Sequence, residues 1–228
     1  MLSPAEWAAV LLSLEIAAKA VAFSLPLAVA VAWLLARYDF PGKAIVDGIV
    51  HLPLVLPPVV VGYLLLLTFG VRGPVGAFLY ENFGVRLVFT AAGASLATAT
   101  MAFPLMVRAI RLSVDALDPG LDEAARTLGA GKLDRFFTIS LPLILPGILA
   151  GGMIAFAASL GEFGAVITFA SNVPGETQTL PLAIYSAVQR PDGEAMAARL
   201  AAISITLAFA GLLLSEYLAR RVKRMMGR

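Results

Sequence analysis

The amino-acid sequence predicts an all-α integral membrane protein with about five transmembrane helices, and three observations carry that reading. Of its 228 residues, 60% are hydrophobic and 14% are charged, with a mean hydropathy of +0.89; an ordinary soluble domain has about 25% charged residues. Five long runs carry no charge at all. A helix crossing ~30 Å of hydrocarbon takes about 20 residues, so five crossings use about half the chain and leave no room for a soluble catalytic domain. Cysteine is absent and His51 is the single histidine, which excludes a disulfide framework, a thiol nucleophile and an imidazole cluster for metal. The net charge of +2 is too small to point to nucleic acid.

The uncharged runs cover residues 20–36, 52–69, 87–107, 136–160 and 200–215. Extended past isolated charges, they predict spans at about 8–37, 46–70, 86–108, 137–170 and 198–219 within a single domain, 1–228. In the first span Glu15 and Lys19 stand four apart with the acid first, the favourable order for a self-neutralising helical pair. Glu6 and Glu15 precede the first basic residue, unlike the start of a cleavable signal peptide, so this span is expected to stay. The second span carries Pro53, Pro57 and Pro58, which remove helix hydrogen bonds and either bend the helix into a vestibule or reflect ordinary membrane proline usage. In the fourth, Gly147, Gly151, Ala155 and Ser159 recur every four residues and predict a close packing face. Glu162 follows it, facing a polar cavity or already at the interface. The apolar stretch 163–173 either prolongs this span or forms a re-entrant piece. Beyond it, Pro174-Gly175 and Pro181 suit a turn, with polar Glu176, Thr177, Gln178 and Thr179 between them, and the segment is expected to fold back beside Glu162 over the outer mouth.

Only Lys19, Arg72, Arg86, Arg190 and Arg199 fall on one side of these spans; the other 12 of the 17 Lys and Arg fall on the opposite side. The positive-inside rule makes the basic side cytoplasmic, with the N-terminus outside and the C-terminus inside.

On the basic side lies the longest polar stretch, and its centre reads as a short helix over about 119–129. Asp118 suits the N-cap and Pro119 the first turn. Asp122 and Glu123 lie toward the positive end of the dipole, and Gly129 or Gly131 can supply the left-handed stop. Leu121, Ala124, Ala125 and Leu128 form one small apolar face. A helix this short needs something to dock on, and small residues suit a protein groove better than lipid.

The order Glu123-Ala124-Ala125, Gly129, then Ile139, Leu141 and Pro142 resembles the EAA loop of the inner-membrane permeases of binding-protein-dependent ABC importers. That resemblance implies a type I ABC-importer permease bundle whose loop is a cytoplasmic coupling helix, with Glu123, Ala124, Ala125, Leu128 and Gly129 in the docking turn and Leu141 and Pro142 leading into the next span. His51-Leu52-Pro53-Leu54-Val55-Leu56-Pro57-Pro58, Gly161-Glu162-Phe163-Gly164 and Glu176-Thr177-Gln178-Thr179-Leu180-Pro181 resemble the molybdate branch; sulfate permeases share parts of these, so sulfate or another oxyanion stays open. The resemblance further implies a homodimer in the cell inner membrane, two cytoplasmic ABC ATPase subunits that use ATP and Mg, an external molybdate-binding protein, and no cofactor in this chain. Pro57, Pro58, Ser159, Glu162 and Thr177 are candidates for the pathway or its gate; an acidic lining repels an oxyanion, so Glu162 is expected to be paired or to gate.

Motifs for self-sufficient chemistry are missing. Gly131-Lys132 is followed by Leu133, and Arg126 stands where a phosphate loop needs its first glycine. Neither a Gly-x-Ser-x-Gly elbow nor a His-Glu-x-x-His pair occurs. The chain is therefore expected to be no enzyme. The different-class alternative, an ATPase-independent secondary transporter or channel, needs its own ion site or filter, for which few buried ionisable groups are available.

Overall fold

A computed structural model describes residues 2–225, whose regular structure is all helical, without a strand among them. The basic tail after 225, including Arg228, lies outside the described residues. Among the described residues four helices are long and apolar enough to cross a membrane, and a bent pair makes a fifth if counted as one span.

The first helix, α1 (Pro4–Arg37), opens on a capping box in which Ser3 Oγ accepts from Glu6 N and Glu6 Oε2 accepts from Ser3 N. After a turn at Gly42 come α2 (Lys43–His51), a 3-10 turn (Leu52–Leu54) and α3 (Pro58–Phe69). The span expected at 46–70 is sharply bent at its prolines: α2 with its 3-10 turn meets α3 at 113°. Pro58 has no N–H to continue the ladder, and its ring drives Pro57 to φ −55°, ψ 133°, outside the helical region. At 12 residues α3 is ~18 Å long, short of a full crossing by itself.

A helix not anticipated, α4 (Pro74–Phe83), lies between Gly73 and Gly84, the latter at φ +65°; proline at the start and a left-handed glycine at the end were its legible signals. The third long helix, α5 (Ala91–Asp115), begins at Thr90, which caps Gly93 N, and runs seven residues past the expected end at 108. Helix geometry continues where hydropathy stops: Arg111 and Asp115, 3.8 Å apart, lie in its last turns.

Next come α6 (Pro119–Thr127), α7 (Lys132–Arg135), a π turn (Phe136–Ser140) and α8 (Leu141–Leu160). Of the two courses open to 163–173, unbroken continuation of this helix is the one not taken. The helix stops at Leu160, and a separate α9 (Gly164–Phe169) follows, because Phe163 leaves helical geometry at φ −124°, ψ −54° and Glu162 Oε1 takes the Ala165 N–H at 2.9 Å. Then α10 (Leu180–Val188) folds back against the bundle: Leu180, Leu182, Ala183 and Ala187 are buried, and Leu180 N donates to Ser13 Oγ at 2.7 Å. The last helix, α11 (Glu194–Met225), packs on α8 and α10.

Helices α1 and α5 run parallel: Ile16 packs with Ala94 and Ala97, and Leu35 with Ile110 and Val114. Against them α8 runs antiparallel, its glycine stripe pressed on α5. A Cβ at Gly147 would collide with Ser113, and one at Gly151 would stand 3.3 Å from Ala109 Cβ. The small-residue face is a packing face within one chain. One end of the bundle therefore gathers the N-terminus, α9, α10 and the start of α11; the other gathers α2, α6, α7 and the basic end of α5.

Candidate functional site

The most exposed helix of the basic end is α6. Asp118 Oδ1 accepts from Gly120 N at 2.9 Å to start it. At its end Gly129 N donates to Arg126 O and Ala130 N to Ala125 O, both at 3.1 Å, with Gly129 at φ +86°. That is a Schellman stop, and only glycine enters it without strain; Gly131 lies at φ −68° and starts α7 instead. The apolar face expected here is divided. Ala125 turns inward and is buried, whereas Leu121, Glu123 and Ala124 are exposed and Leu128 is 88% exposed. Leu121 and Leu128 leave apolar surface open here, and burying one leucine is worth about 1.5–3 kcal/mol. Leu141 packs instead into the core between α1 and α5, and Pro142 is exposed in the first turn of α8.

Arg135 Nη1 donates to Asp122 Oδ2 at 2.7 Å, tying α6 to α7. The following Phe136 stands edge-on to Trp33 of α1, ring centroids 5.0 Å apart, and Arg37 lies 5.6 Å over the Trp33 ring.

The second region is the break at Pro57-Pro58. Both prolines are exposed, and the break rests on the start of α9: a Cβ on Gly164 would come 2.7 Å from Pro58 Cβ, and one on Gly62 would come 2.7 Å from Ala165 O. Close approach of α3 to α9 requires glycine at both positions. Glu162 is half-buried beside this contact, and Ser159, one turn earlier, is buried with no hydrogen-bond partner for Oγ. Thr177 stands apart from them in role. It is wholly buried, its Oγ1 accepting from Val173 N at 2.9 Å and donating to Ser171 O at 3.3 Å, so its hydroxyl holds the 171–178 turn. Gln178 and Ser186 complete that hold through Asn172. In α1, Glu15 and Lys19 form the expected surface pair at 2.5 Å.

Several contacts had no sequence signal. Arg111 of α5 binds Asp47 of α2 at 3.0 Å, and the two line a cavity of about 380 Å³ with His51, Arg108, Leu112 and Asp115. Buried Glu6 receives Arg199 Nη2 at 2.8 Å and Nε at 3.1 Å, joining α1 to α11 across 193 residues. Among the described residues no group of three or more His, Asp or Glu is placed to hold a metal ion.

Comparison with known proteins gives concordant results. Residues 24–224 match the family described as binding-protein-dependent transport system inner membrane component. The chain is 59% identical over 228 residues, covering 100% of both sequences, to the molybdenum transport system permease protein ModB of Escherichia coli (strain K12). It is 38% identical over 194 residues, 84% of this chain and 70% of the relative, to the sulfate transport system permease protein CysT of Salmonella typhimurium. Its fold superposes with a TM-score of 0.77, at 18% identity over 96% of this chain and 80% of the other, on a chain of a bacterial alginate ABC transporter in complex with an alginate pentasaccharide-bound periplasmic protein.

Proposed function

The chain belongs to the family of binding-protein-dependent transport system inner membrane components, and on that premise we propose that it is the permease subunit of an ATP-driven importer of molybdate and, by the like size and charge of the two dianions, tungstate. End-to-end identity of 59% to a molybdenum permease carries this reading; the sulfate permease is more distant, at 38%.

Two copies form the pathway, each receiving one cytoplasmic ATPase subunit at α6, while an external binding protein delivers the oxyanion at the opposite end. ATP and Mg act on the ATPase subunits. The end bearing Arg37, Lys43, Arg111, Arg126 and Arg135 faces the cytoplasm, which places the N-terminus outside and the C-terminus inside. Exposed Leu121, Ala124 and Leu128 enter a groove on the ATPase, and Glu123 and Gly129 border them. When the ATPase pair closes on ATP, the α6 knobs of both copies move together and rock α1, α5 and α8 about their packed faces. Exposed Pro57 and Pro58, with Ser159 and Glu162 behind them, form the constriction that opens and closes; proline ends the ladder there, so the backbone bends without breaking further hydrogen bonds.

Uptake into proteoliposomes holding permease, ATPase and binding protein tests the proposal, with molybdate, tungstate and sulfate in competition. Molybdate uptake that needs ATP and yields to tungstate but not to sulfate is expected. Uptake in the absence of the ATPase, or preference for sulfate, overturns it.

A further inference from the structure

We propose that Asp122, Arg135, Phe136 and Trp33 are positioning residues that make α6 and α7 one lever and pass its displacement to the inner ends of α8 and α1. This rests on the docking role of α6 proposed above. The turn between α6 and α7 runs through Gly129 and Gly131, which by themselves let α6 swivel. Arg135 removes that freedom: its Nη1 donates to Asp122 Oδ2 at 2.7 Å and to Asp122 O at 3.3 Å, and its side chain is 11% exposed. A guanidinium held on a carboxylate and on the backbone of the same residue fixes angle as well as distance.

The backbone widens directly after this clamp. Leu141 N donates to Phe136 O, five residues back, and the π turn separates the clamp from the regular ladder of α8. Such turns allow a local change of helical pitch. The first residue of the turn is also the one that leans on α1, since Phe136 meets Trp33 edge-to-face at 5.0 Å and 88°, and Phe137 meets Phe136 edge-to-face at 5.1 Å. Arg37, one turn beyond Trp33, lies 5.6 Å over the Trp33 ring. Aromatic and cation–π contacts of this kind hold orientation beyond what buried area supplies. A push on α6 therefore travels through Arg135 to Phe136, and divides there between α8 through the chain and α1 through Trp33.

The complete complex in proteoliposomes, with binding protein supplied, tests this by three readouts: ATPase retained on the permease, ATP hydrolysed, and molybdate imported. In Asp122→Asn, Arg135→Gln and Trp33→Leu the ATPase stays bound, because none of these residues is among Leu121, Ala124 and Leu128, the apolar groups of α6 that enter the groove; Asp122 is half-exposed on α6 but is engaged by Arg135. The ATP consumed per molybdate rises about threefold in the Asp122 and Arg135 variants, the equilibrium factor a partly exposed ion pair supplies, and rises also in Trp33→Leu. Exchanging the charges, Asp122→Arg with Arg135→Asp, and the conservative Trp33→Phe bring the ratio back toward that of the unaltered chain. An unchanged ratio in the single variants overturns the proposal, as does an exchange variant no better than either single one. Failure of the ATPase to bind the unaltered chain overturns the docking reading itself and is told apart by the first readout.

Discussion

Leu128→Ser separates docking from folding. Leu128 is 88% exposed at the end of α6, so the folded chain loses almost no apolar contact when it is truncated, and thermal unfolding in detergent should stay within about 0.5 kcal/mol of the unaltered protein. If the ATPase groove buries this leucine, the complex loses the transfer free energy of one leucine, about 1.5–3 kcal/mol per site. At 1.4 kcal/mol per factor of ten, the dissociation constant rises about 10- to 150-fold. The assay titrates detergent-solubilised permease with labelled ATPase subunit, alongside Leu133→Ser as a second exposed leucine (75% exposed) outside α6. Weakening for Leu128→Ser with Leu133→Ser near the unaltered value is the expected pattern. Unchanged affinity for Leu128→Ser at normal folding refutes the placement of this face in the groove, and a lowered melting temperature refutes the premise that it is unpartnered within the chain.

Glu6→Ala leaves Arg199 without its carboxylate and Ser3 N without its acceptor; because the Arg199 side chain is 49% exposed and stays solvated, the loss should cost about 1–2 kcal/mol, mostly that of the helix cap, read as a lowered unfolding midpoint in detergent, while Glu15→Ala in the exposed pair should cost under about 0.5 kcal/mol. Gly147→Leu forces a side chain into Ser113 across the α5 and α8 contact and should destabilise by about 1–3 kcal/mol or prevent folding, whereas Gly48→Ala, with open space at its Cβ, should express and melt normally. Single cysteines introduced into this cysteine-free chain at Ser3 and Gly175 should react with an impermeant thiol reagent from outside, and one at Gly131 only from inside; the reverse pattern would invert the orientation.

Short-range features were legible because their causes lie within a few residues. The N-cap at Asp118, proline in the first turn and the glycine stop of α6 depend on neighbours three to five positions away, and so does the spacing that brought Gly147 and Gly151 to one face. Membrane crossing was legible for a different reason: a bilayer solvates apolar side chains whatever their partners. Helix ends were less so. Hydropathy marks where the chain leaves hydrocarbon, whereas caps and hydrogen bonds mark where the helix stops, which is why α5 runs to Asp115 and α8 ends at Leu160.

By itself, then, the sequence determined an all-helical membrane bundle, the short exposed helix at its basic end and the resemblance that names its family, all properties of local pattern or composition. Tertiary structure decided what each element meets. Pro57-Pro58 marked a break or bend in the sequence, but the 113° angle and the seating of α3 on α9 through Gly62 and Gly164 are visible only in the folded chain. Thr177 had the polarity of a pathway residue, and only the return of the 171–178 turn on itself consumed its hydroxyl. The contacts of Asp47 with Arg111, Glu6 with Arg199 and Trp33 with Phe136 join residues far apart in the chain. Such pairs leave no periodic trace, because any of several charges or rings could have met until the helices chose their neighbours.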